Sequence, residues 1–164
     1  MSSSCHIRLF EEKDEKHLIQ WLSNRESLQW FPMISEWEIQ DAVKIWKGYI
    51  RQKSAFTAEY DGQVAGMGVL YLQPFEKWAH QCCFALIVDK PYRNLGIGKA
   101  LIEHFEKVGK EEFSLKFLHL EVYDHNPAIH LYRKMGFIEF GRHPQFIKEN
   151  GIYKDKILMQ KTLR

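Results

Sequence analysis

The run Gln81-Cys82-Cys83-Phe84-Ala85-Leu86-Ile87-Val88, leading through Asp89–Gly96 into an amphipathic stretch, most constrains how this chain can fold. An apolar run this short and dense predicts a central strand buried on both faces. Beyond the turn, Leu101, Ile102, Phe105 and Val108 recur at three- and four-residue spacing, which predicts a helix over Gly98–Glu112. A buried strand feeding a helix through a glycine-bearing connection is an α/β unit.

The flanking segments extend that pattern. Cys5–Phe10 alternates as a first strand. Glu11–Asn24 gathers Leu18, Ile19, Trp21 and Leu22 on one helical face, and Ser27–Pro32 reads as a loop. Ser35 followed by Glu38 is a capping-box spacing that opens a second helix, Glu36–Arg51, with Ile39, Val43, Trp46 and Ile50 as its apolar stripe. Ala55–Tyr60 and Val64–Leu72 alternate around Asp61-Gly62, a hairpin signal. Phe117–Tyr123 is a further strand. Asn126 and Pro127 suit the N-cap and first position of a helix over Ala128–Met135, which Gly136 ends. Phe137–Phe140 and Tyr153–Leu163 read as two last strands, joined by a loop carrying Asn150-Gly151. The expectation is one mixed α/β domain over residues 1–164, with no repeat, low-complexity tract or linker.

Length and composition agree, since 164 residues with 45% hydrophobic and 27% charged side chains suit one globular core. A net charge of +2 is too mild and scattered for a nucleic-acid face. No apolar run approaches the ~20 residues of a membrane span. Met1–His6 lacks a basic segment followed by an apolar one, so no secretory leader is expected. The three cysteines, Cys5, Cys82 and Cys83, lack metal-site spacing and are expected to be reduced, small buried hydrophobes of a cytoplasmic protein. The eight histidines show no paired spacing, so no metal is expected.

The chemistry concentrates in Val88–Ala100. A helix start leaves backbone N–H groups without partners, its dipole favours an anion, and glycine lets a ligand approach the backbone. The junction is therefore a candidate phosphate cradle. It is neither a dinucleotide fingerprint, lacking the third glycine, nor an ATP P-loop, lacking the Lys-Ser/Thr ending. A ligand-free connection has the same spacing.

Arg93-x-x-Gly96-x-Gly98-x-Ala100, with Val88 and Pro91 ahead of it, resembles the acetyl-CoA motif of the GCN5-related N-acetyltransferase (GNAT) family. Leu120-Glu121-Val122, followed by Asn126-Pro127-Ala128 and by Tyr132 with the closing Gly136-Phe137, is similar to that family's second block. The likeness covers nearly the whole chain. It implies a central, mostly antiparallel sheet of about six to seven strands with a splayed parallel pair, flanked by about four helices.

The resemblance also implies an acetyltransferase that uses acetyl-CoA as co-substrate. In it Leu86, Ile87 and Val88 pair with the pantetheine arm. The amides of Arg93, Asn94, Leu95, Gly96, Ile97 and Gly98, with Lys99 and Ala100 following, hold the pyrophosphate. Arg93 acts partly through its backbone. Tyr132 serves as general acid to the leaving thiolate, though spacing alone reads it as a packed helix aromatic. Glu121 stands as the candidate base, with Glu59, His80 and His119 as others. The family places its Asn seven residues before the Tyr. Here His125 occupies that position and Asn126 lies one residue later, so either takes the contact.

The acceptor implied is a primary amine of a small molecule, amino acid or protein N-terminus. The rival reading is a non-catalytic acyl-CoA-binding domain. Assembly is expected as monomer or homodimer. Among Trp21, Trp30, Phe31, Trp37 and Trp46, mostly core, Trp30-Phe31 is the pair expected to touch substrate.

Overall fold

The computed structural model describes residues 4–164. Met1–Ser3, part of the segment read for a leader, lie outside the described residues. The strands are β1 (Cys5–Leu9), β2 (Ala55–Tyr60), β3 (Gln63–Tyr71), β4 (Gln81–Val88), β5 (Phe117–Tyr123), β6 (Ile138–Glu149) and β7 (Ile152–Thr162). The helices are α1 (Glu15–Leu22), α2 (Arg25–Leu28), α3 (Glu36–Gly48), α4 (Ile97–Glu111) and α5 (Ala128–Lys134), with 3-10 turns at Glu12–Asp14, Glu76–Trp78 and Lys90–Tyr92. The sheet order is β1-β2-β3-β4-β5-β7-β6. Its β4–β5 pair is parallel, and the β1–β2, β2–β3, β5–β7 and β6–β7 pairs are antiparallel. The expected fold class stands, with one more α-helix than anticipated.

The chain divides into two compact units, 4–71 with 85–105, and 72–84 with 106–164, so β4 and α4 contribute to both. In the first unit, Leu18, Trp21, Leu22, Ile39, Val43, Trp46, Met67, Val69 and Ile87 share one core. The capping box forms as read, with the Glu38 amide donating to Ser35 Oγ while Glu38 Oε2 accepts from the Ser35 amide. The β2–β3 turn places Asp61 at φ 48° and Gly62 at φ 79°, the two left-handed residues that a tight hairpin requires. A buried carboxylate ties β1, β2 and the first 3-10 turn together. Asp14 accepts from both Arg8 Nη atoms (2.7 and 2.9 Å), from the Glu11 amide and from Thr57 Oγ1.

In the second unit, Leu118, Leu120 and Val122 are buried on one face of β5, with Ile157 and Met159 of β7. Gly136 takes φ 90°, and the Phe137 amide reaches back to the Tyr132 carbonyl, closing α5 where the glycine predicts.

Four expectations need correcting. The segment read as a loop at Ser27–Pro32 overlaps a short helix, α2, which Asn24 caps by accepting from the Glu26 amide. The expected loop between the last strands is a long hairpin, tightened by Asn150-Gly151 and broken by register shifts at Glu139/Gly141 and His143/Ile147. Strand β4 is not buried on both faces: Cys82, Phe84 and Ile87 are buried while Cys83, Ala85, Leu86 and Val88 are half-buried. The alternation slips between Phe84 and Ile87. Lastly, Cys5 is exposed, so it is not the buried hydrophobe expected.

Candidate functional site

Strand β4 ends at Val88, and its continuation sets up the first group of candidate residues. The Asp89 amide still donates to Ala65 O, extending the pairing with β3 by one residue. The Lys90–Tyr92 turn follows, opened by Pro91. Asn94 at φ 63° and Gly96 at φ 84° then bend the backbone twice through left-handed conformations. The Ala100 amide donates to Gly96 O, the first bond of α4. The amides of Ile97, Gly98 and Lys99 precede it and have no intrahelical acceptor. Ile97 is buried and anchors the helix start, while Asn94, Leu95, Gly96 and Lys99 are exposed. A Cβ added at Gly96 would meet nothing within 4 Å. The turn therefore offers amides without an intrahelical acceptor, a helix N-terminus and nearby cations, a donor set that fits a phosphate group.

The Arg93 side chain has a role that the motif did not suggest. It donates to Val88 O (3.3 Å), Glu26 Oε1 (3.1 Å) and Ser27 Oγ (2.9 Å), bracing the turn on itself and on α2. Lys90 Nζ also reaches Glu26, at 2.7 Å, and this bond, with Arg93 beside it, holds the Glu26 carboxyl below the usual range. Glu26 and Ser27 carried no motif, so only the folded chain brings them to the turn. Leu86 and Val88 are half-buried and Ile87 is buried.

The second group lies on β5, α5 and the loop between them. The parallel register of β4 with β5 covers Gln81–Cys83 and Phe117–His119 and goes no further, although both strands continue. Tyr132 is 8% exposed, with its ring edge-on to Phe84 and Phe137. Burial, with Cys83 adding to it, raises its hydroxyl well above a free phenol. Phe84 stands on the face of the sheet that carries Cys82 and its partner Leu118, so Tyr132 packs on that side.

Glu121 stands on the opposite face of β5, half-exposed, 3.2 Å from Lys156 Nζ. The acid and base candidates are thus on opposite faces of the sheet. Cys83 shares the Glu121 face; burial first, and the Glu121 charge second, push its thiol up to about 12. The alternatives differ in setting: Glu59 accepts from Arg8 Nε at 2.7 Å, His80 is exposed, and burial lowers the pKa of His119.

His125 and Asn126 occupy the loop between β5 and α5. Asn126 Oδ1 accepts from the Ala128 amide at 2.9 Å, a turn one residue ahead of Pro127, which takes the N-cap position of α5 that was expected of Asn126. His125 has φ 68° and projects its ring outward, with a side chain 84% exposed. Asp124 and Asp155 both accept from Arg142 Nη1, which pins this loop to β7 and β6. Among the described residues no group of three or more His, Cys, Asp or Glu side chains is placed to hold a metal ion. Among them also, no helix is long and apolar enough to cross a membrane.

The profile of the acetyltransferase (GNAT) family matches residues 9–137, and the chain belongs to that family. It is similar to an N-alpha-acetyltransferase of Sulfurisphaera tokodaii, 35% identical over 97 residues, covering 51% of this chain and 56% of the relative. It is also similar to the L-amino acid N-acetyltransferase AaaT of Escherichia coli, 28% identical over 103 residues, covering 62% of this chain and 64% of the relative. The matches thus span less than two thirds of these curated relatives. Among solved structures, a Salmonella typhimurium protein determined with its cofactor acetyl-CoA superposes with a TM-score of 0.80 at 16% identity, over 98% of this chain and 94% of that one. That likeness is one of fold.

Proposed function

We propose that this chain is an N-acetyltransferase acting as one domain over residues 1–164, moving the acetyl group of acetyl-CoA directly to a primary amine. The observation that carries the reading is the turn Arg93–Ala100, where left-handed Asn94 and Gly96 lead into a 15-residue helix whose first amides have no intrahelical acceptor. Those amides would hold the pyrophosphate of the co-substrate. Leu86–Val88 would lie along its pantetheine arm, as the resemblance to the family implies.

In the reaction the amine nitrogen, freed of one proton, attacks the thioester carbonyl. A C–N bond forms, the C–S bond breaks, the nitrogen gives up its second proton and the departing sulfur takes up one, leaving an amide and a thiol. Backbone N–H groups of β4 would stabilise the tetrahedral oxyanion. Glu121 would receive the amine's proton. Tyr132, its proton held by burial, would donate a hydrogen bond to the sulfur as charge develops there. The opposite placement of Glu121 and Tyr132 suits this division, because attack and departure occur on different sides of one carbon. His125 or Asn126 would complete the coenzyme contacts. Cys5, Cys82 and Cys83 are free thiols, which suits a reducing, cytoplasmic setting.

Thermal melting with acetyl-CoA, CoA or ATP tests the reading. A ligand at ~100 times its dissociation constant adds ~2.7 kcal/mol, several degrees for a domain of this size. A rise with acetyl-CoA and CoA but not ATP is expected. No rise with either CoA species contradicts it.

A further inference from the structure

Lys156 lies two residues along β7 from Leu158, the direct partner of Glu121, so it meets Glu121 diagonally on one sheet face. Its ammonium sits 3.2 Å from Glu121 Oε2 and 3.7 Å from the centroid of the Phe146 ring. The Phe146 ring in turn packs on His143, their centroids 5.0 Å apart. The Lys156 side chain is 14% exposed and that of Glu121 is 49% exposed. A largely covered cation between a carboxylate and an aromatic face is thus paired with the group proposed to meet the acceptor.

We propose that Lys156 determines acceptor specificity and selects free α-amino acids, zwitterions that carry their own carboxylate. The inference rests on the reading that the chain is an N-acetyltransferase with Glu121 on the acceptor side. An amine reaching Glu121 arrives as an ammonium. It must share that carboxylate with Lys156, and two cations on one carboxylate in a partly covered site repel. A polyamine or an amidated amino acid brings only the cation and bears the whole penalty. An α-amino acid brings ammonium and carboxylate on one carbon. Its ammonium takes Glu121 and its carboxylate takes Lys156, so the ion pair opens and each charge keeps a partner. Phe146 and His143 then flank the acceptor's side chain.

The test is the rate of thiol release from acetyl-CoA with L-amino acids, each beside its own carboxamide, and with spermidine. For the unaltered protein, kcat/KM for the acids should exceed that for the carboxamides by about tenfold or more, the usual worth of one charge-paired contact. Lys156→Gln should erase that preference by lowering the acid rate while the carboxamide rate holds or rises. Lys156→Arg, which keeps the charge, should retain the preference. Carboxamides matching acids in the unaltered protein, or Lys156→Gln lowering both alike, overturns the inference and leaves the acetyltransferase reading standing. No thiol release with any acceptor overturns both.

Discussion

Arg93 Nη2 donates to Ser27 Oγ at 2.9 Å, joining the turn that leads into α4 to a four-residue helix 66 positions earlier in the chain. Ser27 is 7% exposed, so the bond is shielded, whereas Glu26 beside it faces solvent. A turn braced from its own side chain holds its amides in place before any ligand arrives, which lowers the ordering cost of binding. Arg93→Ala is therefore expected to weaken acetyl-CoA binding by about tenfold, by calorimetry, and to speed hydrogen exchange in Arg25–Leu28. Arg93→Lys cannot reproduce three divergent donors and should fall in between.

Tyr132 gives the sharpest split between binding and chemistry. Tyr132→Phe keeps the ring contacts with Phe84 and Phe137 and removes only the hydroxyl. The acetyl-CoA dissociation constant should stay within about twofold while kcat falls about 100-fold or more, the usual scale for a positioned proton-handling group. Equal loss in both would make the residue a packing element.

Asp14 governs acid stability. Burial opposes its charge, but Arg8, the Glu11 amide and Thr57 outweigh burial and hold its carboxyl below the ordinary value. A depressed folded pKa means that the stabilisation is complete above the unfolded value of about 4 and is lost as pH falls through the folded one. Urea melts should show stability dropping below about pH 4, with Asp14→Asn flattening that drop. At neutral pH Asp14→Ala should cost about 1–3 kcal/mol, because Thr57 and the Glu11 amide lose their acceptor while Arg8 keeps Glu59.

Gly68 tests the packing between β3 and α4 within the first unit. A Cβ there would lie 2.3 Å from the Phe105 ring and 3.1 Å from Ala85 O. Gly68→Ala should destabilise by about 1–3 kcal/mol or more, by thermal melting, since ring and backbone must both shift.

Much of this architecture was legible in the residues because it rests on local rules. Ser35 with Glu38, Asp61 with Gly62, and Gly136 at the end of α5 each act through neighbours a few positions away, and each takes its expected conformation. The turn around Gly96 was legible for the same reason. The start of β6 was legible as Phe137–Phe140, but its continuation to Glu149 was not, because Pro144 and two register shifts interrupt the alternation and leave it to be defined by pairing with β7. Helix α2 was too short to show a period. The brace from Glu26 and Ser27 to Arg93, and the Lys156–Glu121 pair, depend on tertiary placement and strand register, which a linear pattern does not carry.

The most direct test of the central claim is a time course of CoA thiol release from acetyl-CoA, with mass analysis of the acceptor, across amino acids, peptide amino termini and polyamines. Release that depends on one acceptor class is expected, with one acetylated amine formed per thiol. Saturable acetyl-CoA binding with no thiol release across the panel would contradict it, and would make this chain an acyl-CoA-binding domain on an acetyltransferase fold.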